Sequence, residues 1–154
     1  MQAKDKIEKV VNIKNKKASF EYEFLDLYTA GIALRGTEIK SIRQQKVNIG
    51  DAYCYVHDNA IWVKNLHISQ YGDGTYLNHD PLRERKLLLK KKEINKISKK
   101  LDDQGITVVP VRLFINDRGF AKMELAVARG KKLYDKREDL KEKDIKRELS
   151  KVKF

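Results

Sequence analysis

Short alternating apolar stretches, each closed by a turn-forming cluster, constrain this chain more than any other feature. The strongest pair is Ile106–Ile115 and Phe120–Ala128, joined through Asn116-Asp117-Arg118-Gly119. In the second stretch Met123, Leu125 and Val127 fall on one face and Lys122, Glu124 and Ala126 on the other. That is the period of a half-buried strand, and the intervening sequence suits a tight hairpin. Ala52–Val56 and Ala60–Val63 repeat the arrangement around His57-Asp58-Asn59, and Leu66-His67-Ile68 is expected to continue the second of these strands. Pro110 withholds a backbone donor inside its apolar run and predicts an edge position or a bulge.

The remaining segments are shorter. Residues 1–17 are Lys/Asn-rich around Val10-Val11-Asn12-Ile13 and predict a loosely held arm with one short strand. Phe20, Tyr22 and Phe24 alternate with polar residues and predict a strand from Phe20. Ala30-Gly31-Ile32-Ala33-Leu34 follows as a second apolar piece, its glycine marking a bend or a close backbone approach. Gly36-Thr37-Glu38 resembles the start of a short helix capped by Thr37, with Ile39 and Ile42 on one face. Ser69–Asp80 is the longest polar loop and is expected to be exposed and mobile. A strand at Lys86–Leu89 leads into a helix over Lys91–Leu101, where Ile94, Ile97 and Leu101 form one apolar stripe. About six short strands with two inserted helices make a mainly β chain and suit a small closed or nearly closed barrel. An oligonucleotide-binding barrel (OB-fold-like) is the natural candidate, although strand count is shared with other small barrels.

This pattern stops at Arg129-Gly130. From Arg129 to Phe154 the chain holds 11 Lys/Arg against 6 Asp/Glu, with single apolar residues between them. Such a segment buries too little apolar surface to offset the entropy of ordering. It can order against a polyanion. At 154 residues, one domain with a real core is expected, here residues 1–129, followed by a basic tail over 130–154.

A formal net charge of +12 points to an anionic partner, with nucleic acid ahead of a membrane surface. No apolar run is long enough to span a bilayer, the start has no signal-peptide core, and the cytoplasm is the expected address. The single Cys54 excludes an internal disulfide and a cysteine-rich zinc site. His57, His67 and His79 fall in no metal-binding motif and predict surface or turn roles; no phosphate-cradling glycine loop is present. No catalytic residue, metal or cofactor is expected, and scattered carboxylates leave a metal-dependent nuclease as the minor alternative. The lysines at 90–92, 96, 99 and 100 read by default as the solvated face of a helix. Tyr22, Tyr53, Tyr55 and Trp62 are candidate base-stacking platforms, with core packing claiming at least half of them. Tyr134, flanked by Lys132 and Lys136, has no obvious core to join, and stacking on a base suits it.

Several motifs in order resemble one family, the SsrA-binding (small protein B) proteins. They are Asn15-Lys16-Lys17-Ala18, Ala30-Gly31-Ile32-Ala33-Leu34, Gly36-Thr37-Glu38-Ile39-Lys40-Ser41-Ile42-Arg43 and Asn48-Ile49-Gly50-Asp51-Ala52-Tyr53. Asp80-Pro81-Leu82-Arg83-Glu84-Arg85-Lys86-Leu87-Leu88-Leu89 and Gly130-Lys131-Lys132-Leu133-Tyr134-Asp135-Lys136-Arg137 complete the set. Each is weak alone; jointly they are specific. The resemblance implies a non-enzymatic, monomeric RNA-binding protein with an OB-like barrel and a C-terminal tail disordered when free. It implies binding to the tRNA-like domain of transfer-messenger RNA (tmRNA, SsrA) and its delivery to stalled ribosomes for trans-translation. The tail would enter the decoding centre and mRNA channel of the small subunit and become helical there. The other candidate is a ribosomal or translation-factor OB barrel with no role in ribosome rescue.

Carried over by position, Asn15, Leu88 and Lys122 match residues the family uses to bind this RNA, and Tyr22 and Tyr53 are further candidates. For Leu88 a core role is equally consistent with the sequence. In the tail, Gly130, Lys131, Lys132, Tyr134, Asp135, Lys136 and Arg137 match the segment at the decoding centre, the glycine permitting a sharp exit from the barrel. Ile145 begins an apolar stripe with Leu149 and Val152 that is consistent with folding on contact. Thr29 stands where an acidic residue is common in the family, and Tyr134 where some members carry histidine.

Overall fold

Two hairpins, one long strand and one short strand close a ring. The computed structural model describes residues 11–72 and 78–131. In chain order the elements are β1 (Asn12–Lys14), α1 (Lys16–Glu21), β2 (Tyr22–Ile32), α2 (Gly36–Arg43), β3 (Val47–Asn48) and β4 (Tyr53–His57). Then come β5 (Ala60–Lys64), β6 (His67–Ile68), β7 (Arg85–Leu88), α3 (Lys91–Leu101), β8 (Ile106–Ile115) and β9 (Ala121–Gly130). Antiparallel neighbours run β8-β4-β5-β7-β2-β9, and β9 pairs back onto β8, so six strands form a closed OB-like barrel. β1 lies beside β8 at Arg112–Phe114, past the point where β4 meets the same strand at Val108. β3 and β6 make a separate two-stranded sheet.

Strand alternation decides what fills the ring. Ile61, Val63, Leu87, Val108, Leu113, Met123, Leu125 and Val127 point inward and are fully buried, while Ile42 of α2 and Ile97 of α3 join the same core. Burial of each large side chain of this kind contributes about 1.5–3 kcal/mol. Cys54 packs among them, and burial pushes its thiol pKa far up, which removes the reactive thiolate. Ala126 and Ala128 lie on the outer face of β9, yet both are buried with Ala18 of α1 and Val109 of β8. Small side chains there let α1 approach the sheet closely.

The expected helix over Lys91–Leu101 and strand over Ile106–Ile115 are present with those bounds. Pro110 precedes a register shift in the β8–β9 ladder, the bulge its missing donor predicts. Asp58 and Asn59 both take positive φ, 51° and 57°, forming the two-residue turn of the β4–β5 hairpin. Other expectations fail for local reasons. The strand predicted from Phe20 begins at Tyr22, because Asn15 caps a helical turn first: its Oδ1 accepts the Ala18 N–H at 3.1 Å. β2 then runs unbroken through Gly31, absorbing a shift between Phe24 and Asp26. Leu66-His67-Ile68 does not continue β5, since Asn65 turns the chain at φ 61° and β6 pairs with β3. Thr37 does not cap α2. Its hydroxyl lies 2.9 Å from Nδ1 of His79, and the Glu38 carboxylate accepts the Arg35 N–H at 2.8 Å instead.

His79 is buried, against the surface role expected of it; its Nε2–H donates to the Ile68 carbonyl at 2.9 Å. The base of the 69–80 loop is therefore tied down, helped by paired bonds between Asn78 and Tyr71; residues 73–77 lie outside the described part. Beside it sits a feature with no sequence signal. Arg85 and Glu38 are both fully buried and paired, Nε to Oε2 at 2.5 Å, and Arg83 reaches Oε1 of the same carboxylate at 2.5 Å. Arg85 also donates to the carbonyls of Leu66 (2.6 Å), Pro81 (3.2 Å) and Asp80 (3.4 Å). One guanidinium thus joins α2, β7, the β5–β6 connection and the loop.

Burial alone pushes the Glu38 pKa up, but Arg83, the Arg35 N–H and Arg85 outweigh it and hold the value below the ordinary 4.5. A depressed carboxylate stabilises the fold above its unfolded pKa, and that contribution is lost as pH falls through the folded value. The urea midpoint is accordingly expected to drop steeply below about pH 4.5 in the wild type, and less steeply in Glu38→Gln. Parallel acid limbs for the two proteins would remove Glu38 as the group responsible. Among the described residues, no helix is long and apolar enough to cross a membrane.

Candidate nucleic-acid interface

Register brings residues from five strands into one outward row. Lys122 of β9 pairs with Gly31 of β2, and Gly31 pairs with Leu88 of β7. On the other side Lys122 faces Phe114 of β8, which faces Asn12 of β1. Leu88 is 54% exposed, so the core role belongs to Leu87, which points the other way. Gly31 keeps the space between them: a Cβ there would lie 3.3 Å from Cβ of Leu88, which would have to shift by a few tenths of an ångström. The resulting open cleft, about 530 Å³, is lined by Gly31, Leu88 and Lys122 together with Thr29, Lys86 and Lys90, with Asp58 and Glu93 also on its wall. Thr29 lies directly across from Glu124, which Arg112 approaches at 3.6 Å.

Asn15, Tyr22 and Tyr53 meet at a different place, a cleft of about 300 Å³ between α1 and the β3–β4 connection. The Asn15 amide is fully engaged there, with Nδ2 donating to Pro110 O at 2.9 Å and Ile49 O at 3.3 Å while Oδ1 caps α1. Asn15 shapes this cleft and leaves its rings to face outward: Tyr53 is 38% exposed, Tyr22 half-buried. Lys17 and Asp51 pair at 2.9 Å beside it. The geometry separates the predicted RNA residues into two groups, Leu88 with Lys122 and Asn15 with Tyr22 and Tyr53.

The chain matches the family model described as "SmpB protein" over residues 12–153. The chain belongs to the SmpB family. Among curated relatives, the SsrA-binding protein of Cytophaga hutchinsonii is 55% identical over 148 residues, covering 96% of this chain and 97% of that one. The SsrA-binding protein of Phocaeicola vulgatus is 58% identical over 142 residues, covering 92% and 95% respectively. A solved chain described under "tmRNA-SmpB: a journey to the center of the bacterial ribosome" superposes with TM-score 0.68 at 43% identity, covering 81% of this chain and 86% of that one.

The SmpB match extends past the end of the described fold. Gly130 is the last residue of β9, paired with Tyr22, and the backbone there is extended without a positive φ. Lys131 is tied to α1, its N–H donating to Glu21 O at 2.9 Å and its Nζ to Ser19 O at 3.2 Å. Lys132, Tyr134, Asp135, Lys136, Arg137 and Ile145 lie outside the described residues. Of the other aromatic candidates, Tyr55 and Trp62 face each other on the outer side of β4 and β5 and are half-buried. Both are held: Tyr55 donates to Glu84 at 2.5 Å, and the Trp62 indole donates to His57 O at 3.3 Å. His57 and His67 are exposed, and no cluster of three metal-ligating side chains occurs among the described residues. Sequence reasoning missed Phe114 and Phe120, which share the outward parity of Lys122; strand alternation carried the signal for both.

Proposed function

We propose that this chain binds the tRNA-like domain of transfer-messenger RNA and delivers it to stalled ribosomes for trans-translation. It acts as a cytoplasmic, non-enzymatic, monomeric RNA chaperone. The observation that carries the reading is the outward row in which Lys122, Gly31 and Leu88 meet on the wall of a closed barrel. It is supported by relatives named SsrA-binding proteins and by the solved SmpB neighbour. Lys122 supplies a cation to the phosphate backbone, and Leu88 supplies apolar contact to a base or sugar. Glycine between them lets the RNA come close to the strand backbone. Asn15, Tyr22 and Tyr53 form a second contact, the amide fixing the cleft and the rings meeting the RNA. Residues 130–154 form the ribosome-directed tail, with Gly130, Lys131, Lys132, Tyr134, Asp135, Lys136 and Arg137 at the decoding centre. Ile145 lies on a helix formed in the mRNA channel.

The test is a gel-shift titration at fixed salt against the tRNA-like domain, with bulk tRNA as competitor, because a +12 chain binds any RNA when screening is weak. Preference for the tRNA-like domain is expected. Equal affinity for both RNAs would favour a ribosomal or translation-factor barrel without a rescue role. Lys122→Ala is expected to weaken binding and lower the salt slope by about one. An unchanged slope would remove Lys122 from the phosphate contacts.

A further inference from the structure

We infer that Phe120, with Phe114 beside it, is a base-stacking platform that extends the Leu88–Lys122 surface onto the end of the β8–β9 hairpin; this rests on the RNA-binding reading above. Phe120 is 62% exposed, the highest value among the exposed large hydrophobic side chains of the described residues. Ala121 points into the barrel, so Phe120 and Lys122 project together from the outer face. Phe114 faces Lys122 directly and stands diagonally from Phe120, a spacing of about 7–8 Å within reach of aromatic rings. Register therefore sets the Lys122 side chain beside both aromatic positions, an arrangement in which a base stacks while a phosphate is neutralised.

The platform is rigid and cationic. Asn116 locks the turn: its Oδ1 accepts N–H groups of Arg118 (3.1 Å) and Phe120 (2.9 Å), and its own N–H donates to Phe120 O at 2.9 Å. Gly119, at φ 86°, lets the chain reverse there. The Arg112 guanidinium lies 4.1 Å from the Phe114 ring centroid. From a distant part of the chain, α2 sends Arg43 to the same tip, where its terminal nitrogen would lie 3.6 Å from a Cβ on Gly119. Arg43, Arg112, Arg118 and Lys122 thus gather at this end of the hairpin against the carboxylates Asp117 and Glu124. That balance favours a polyanion, and an exposed ring on a hydrogen-bonded backbone suits a flat base. RNA is the occupant that satisfies both.

The experiment measures Kd of the full chain for the tRNA-like domain across a salt series, for wild type, Phe120→Ala, Phe120→Leu and Phe120→Trp. Stacking predicts a loss of roughly five- to a hundredfold in Phe120→Ala, with the salt slope unchanged. Phe120→Leu should fall with alanine, because leucine is apolar but has no π face. Phe120→Trp should retain wild-type affinity. Full affinity in Phe120→Ala, or in Phe120→Leu, overturns the inference; so does a loss in Phe120→Trp equal to that in Phe120→Ala. Phe120 is exposed, so unchanged melting temperatures serve as the folding control. Failure of the parent reading looks different: the wild type itself would show no preference for the tRNA-like domain over bulk tRNA.

Discussion

Removal of residues Lys132–Phe154 is expected to abolish tagging of nascent chains on stalled ribosomes while leaving binding to the tRNA-like domain largely intact. The cut belongs after Lys131, because Gly130 is still paired in β9 and Lys131 is tied to Glu21 and Ser19. A deletion starting at Gly130 would disturb the barrel end and confuse the two effects. The removed segment carries 9 Lys/Arg against 6 Asp/Glu, so a +12 chain keeps most of its positive charge. The expected cost to RNA affinity is therefore a small, salt-sensitive one. Tagging is read by incorporation of the tmRNA-encoded peptide on a message lacking a stop codon. Simultaneous loss of RNA binding and tagging would refute a division of labour between barrel and tail; full tagging by the truncated chain would deny the tail its ribosomal role.

The second large effect concerns stability. Arg85→Ala is expected to destabilise the fold by about 3 kcal/mol, since the buried Glu38 carboxylate then keeps only Arg83 and the Arg35 N–H as partners. It also takes the donor from the Leu66 carbonyl, while the carbonyls of Asp80 and Pro81 keep the N–H groups of Arg83 and Ile68. Against a typical total of about 5–15 kcal/mol, that loss would leave many molecules unfolded at growth temperature. Replacing both members, Arg85→Met with Glu38→Leu, should recover only the part of the loss that comes from the buried carboxylate, because the Leu66 carbonyl still lacks its donor and Arg83 loses its partner. Urea titration decides it. A cost below about 1 kcal/mol for Arg85→Ala would mean that water replaces the guanidinium and the site is less enclosed than its geometry indicates.

The barrel was largely legible because its determinants are local. Alternation at Met123, Leu125 and Val127, the donor gap at Pro110, the Asp58-Asn59 turn and the stripe Ile94-Ile97-Leu101 each specify their element over a few residues. The errors share a cause: local signals of equal strength competed, and tertiary contacts chose between them. Phe20-Tyr22-Phe24 alternates like a strand, yet Asn15 initiates a helical turn there because two carbonyls from distant segments, Ile49 and Pro110, hold its amide. Arg85 lies in a run of basic residues and carries no mark of burial. Only its parity with Leu87, and a Glu38 forty-seven positions away, make it interior. For the proposed RNA surface, motif resemblance named Leu88 and Lys122, but their adjacency depends on register through Gly31. Phe120 escaped because a single aromatic beside a turn looks like ordinary hairpin sequence until its exposure is known.

The pairing of β2 with β9 also has a consequence for how the protein is made. Leu27 faces Ala126 across the closing seam, and β2 has its other neighbour, β7, only along Gly31 and Ile32. During synthesis β2 emerges early and must wait for about a hundred further residues before its main partner exists, roughly 5–20 s at ordinary elongation rates. Through that interval most of one flank stays open, with Leu25 and Leu27 beside it, a template for mispairing. Closure is then a single late event of high contact order, completed only when the last strand leaves the exit tunnel. A nascent chain arrested before residue 121 could not shut its ring at all, so interrupted synthesis of this protein yields an open sheet and no partly working barrel.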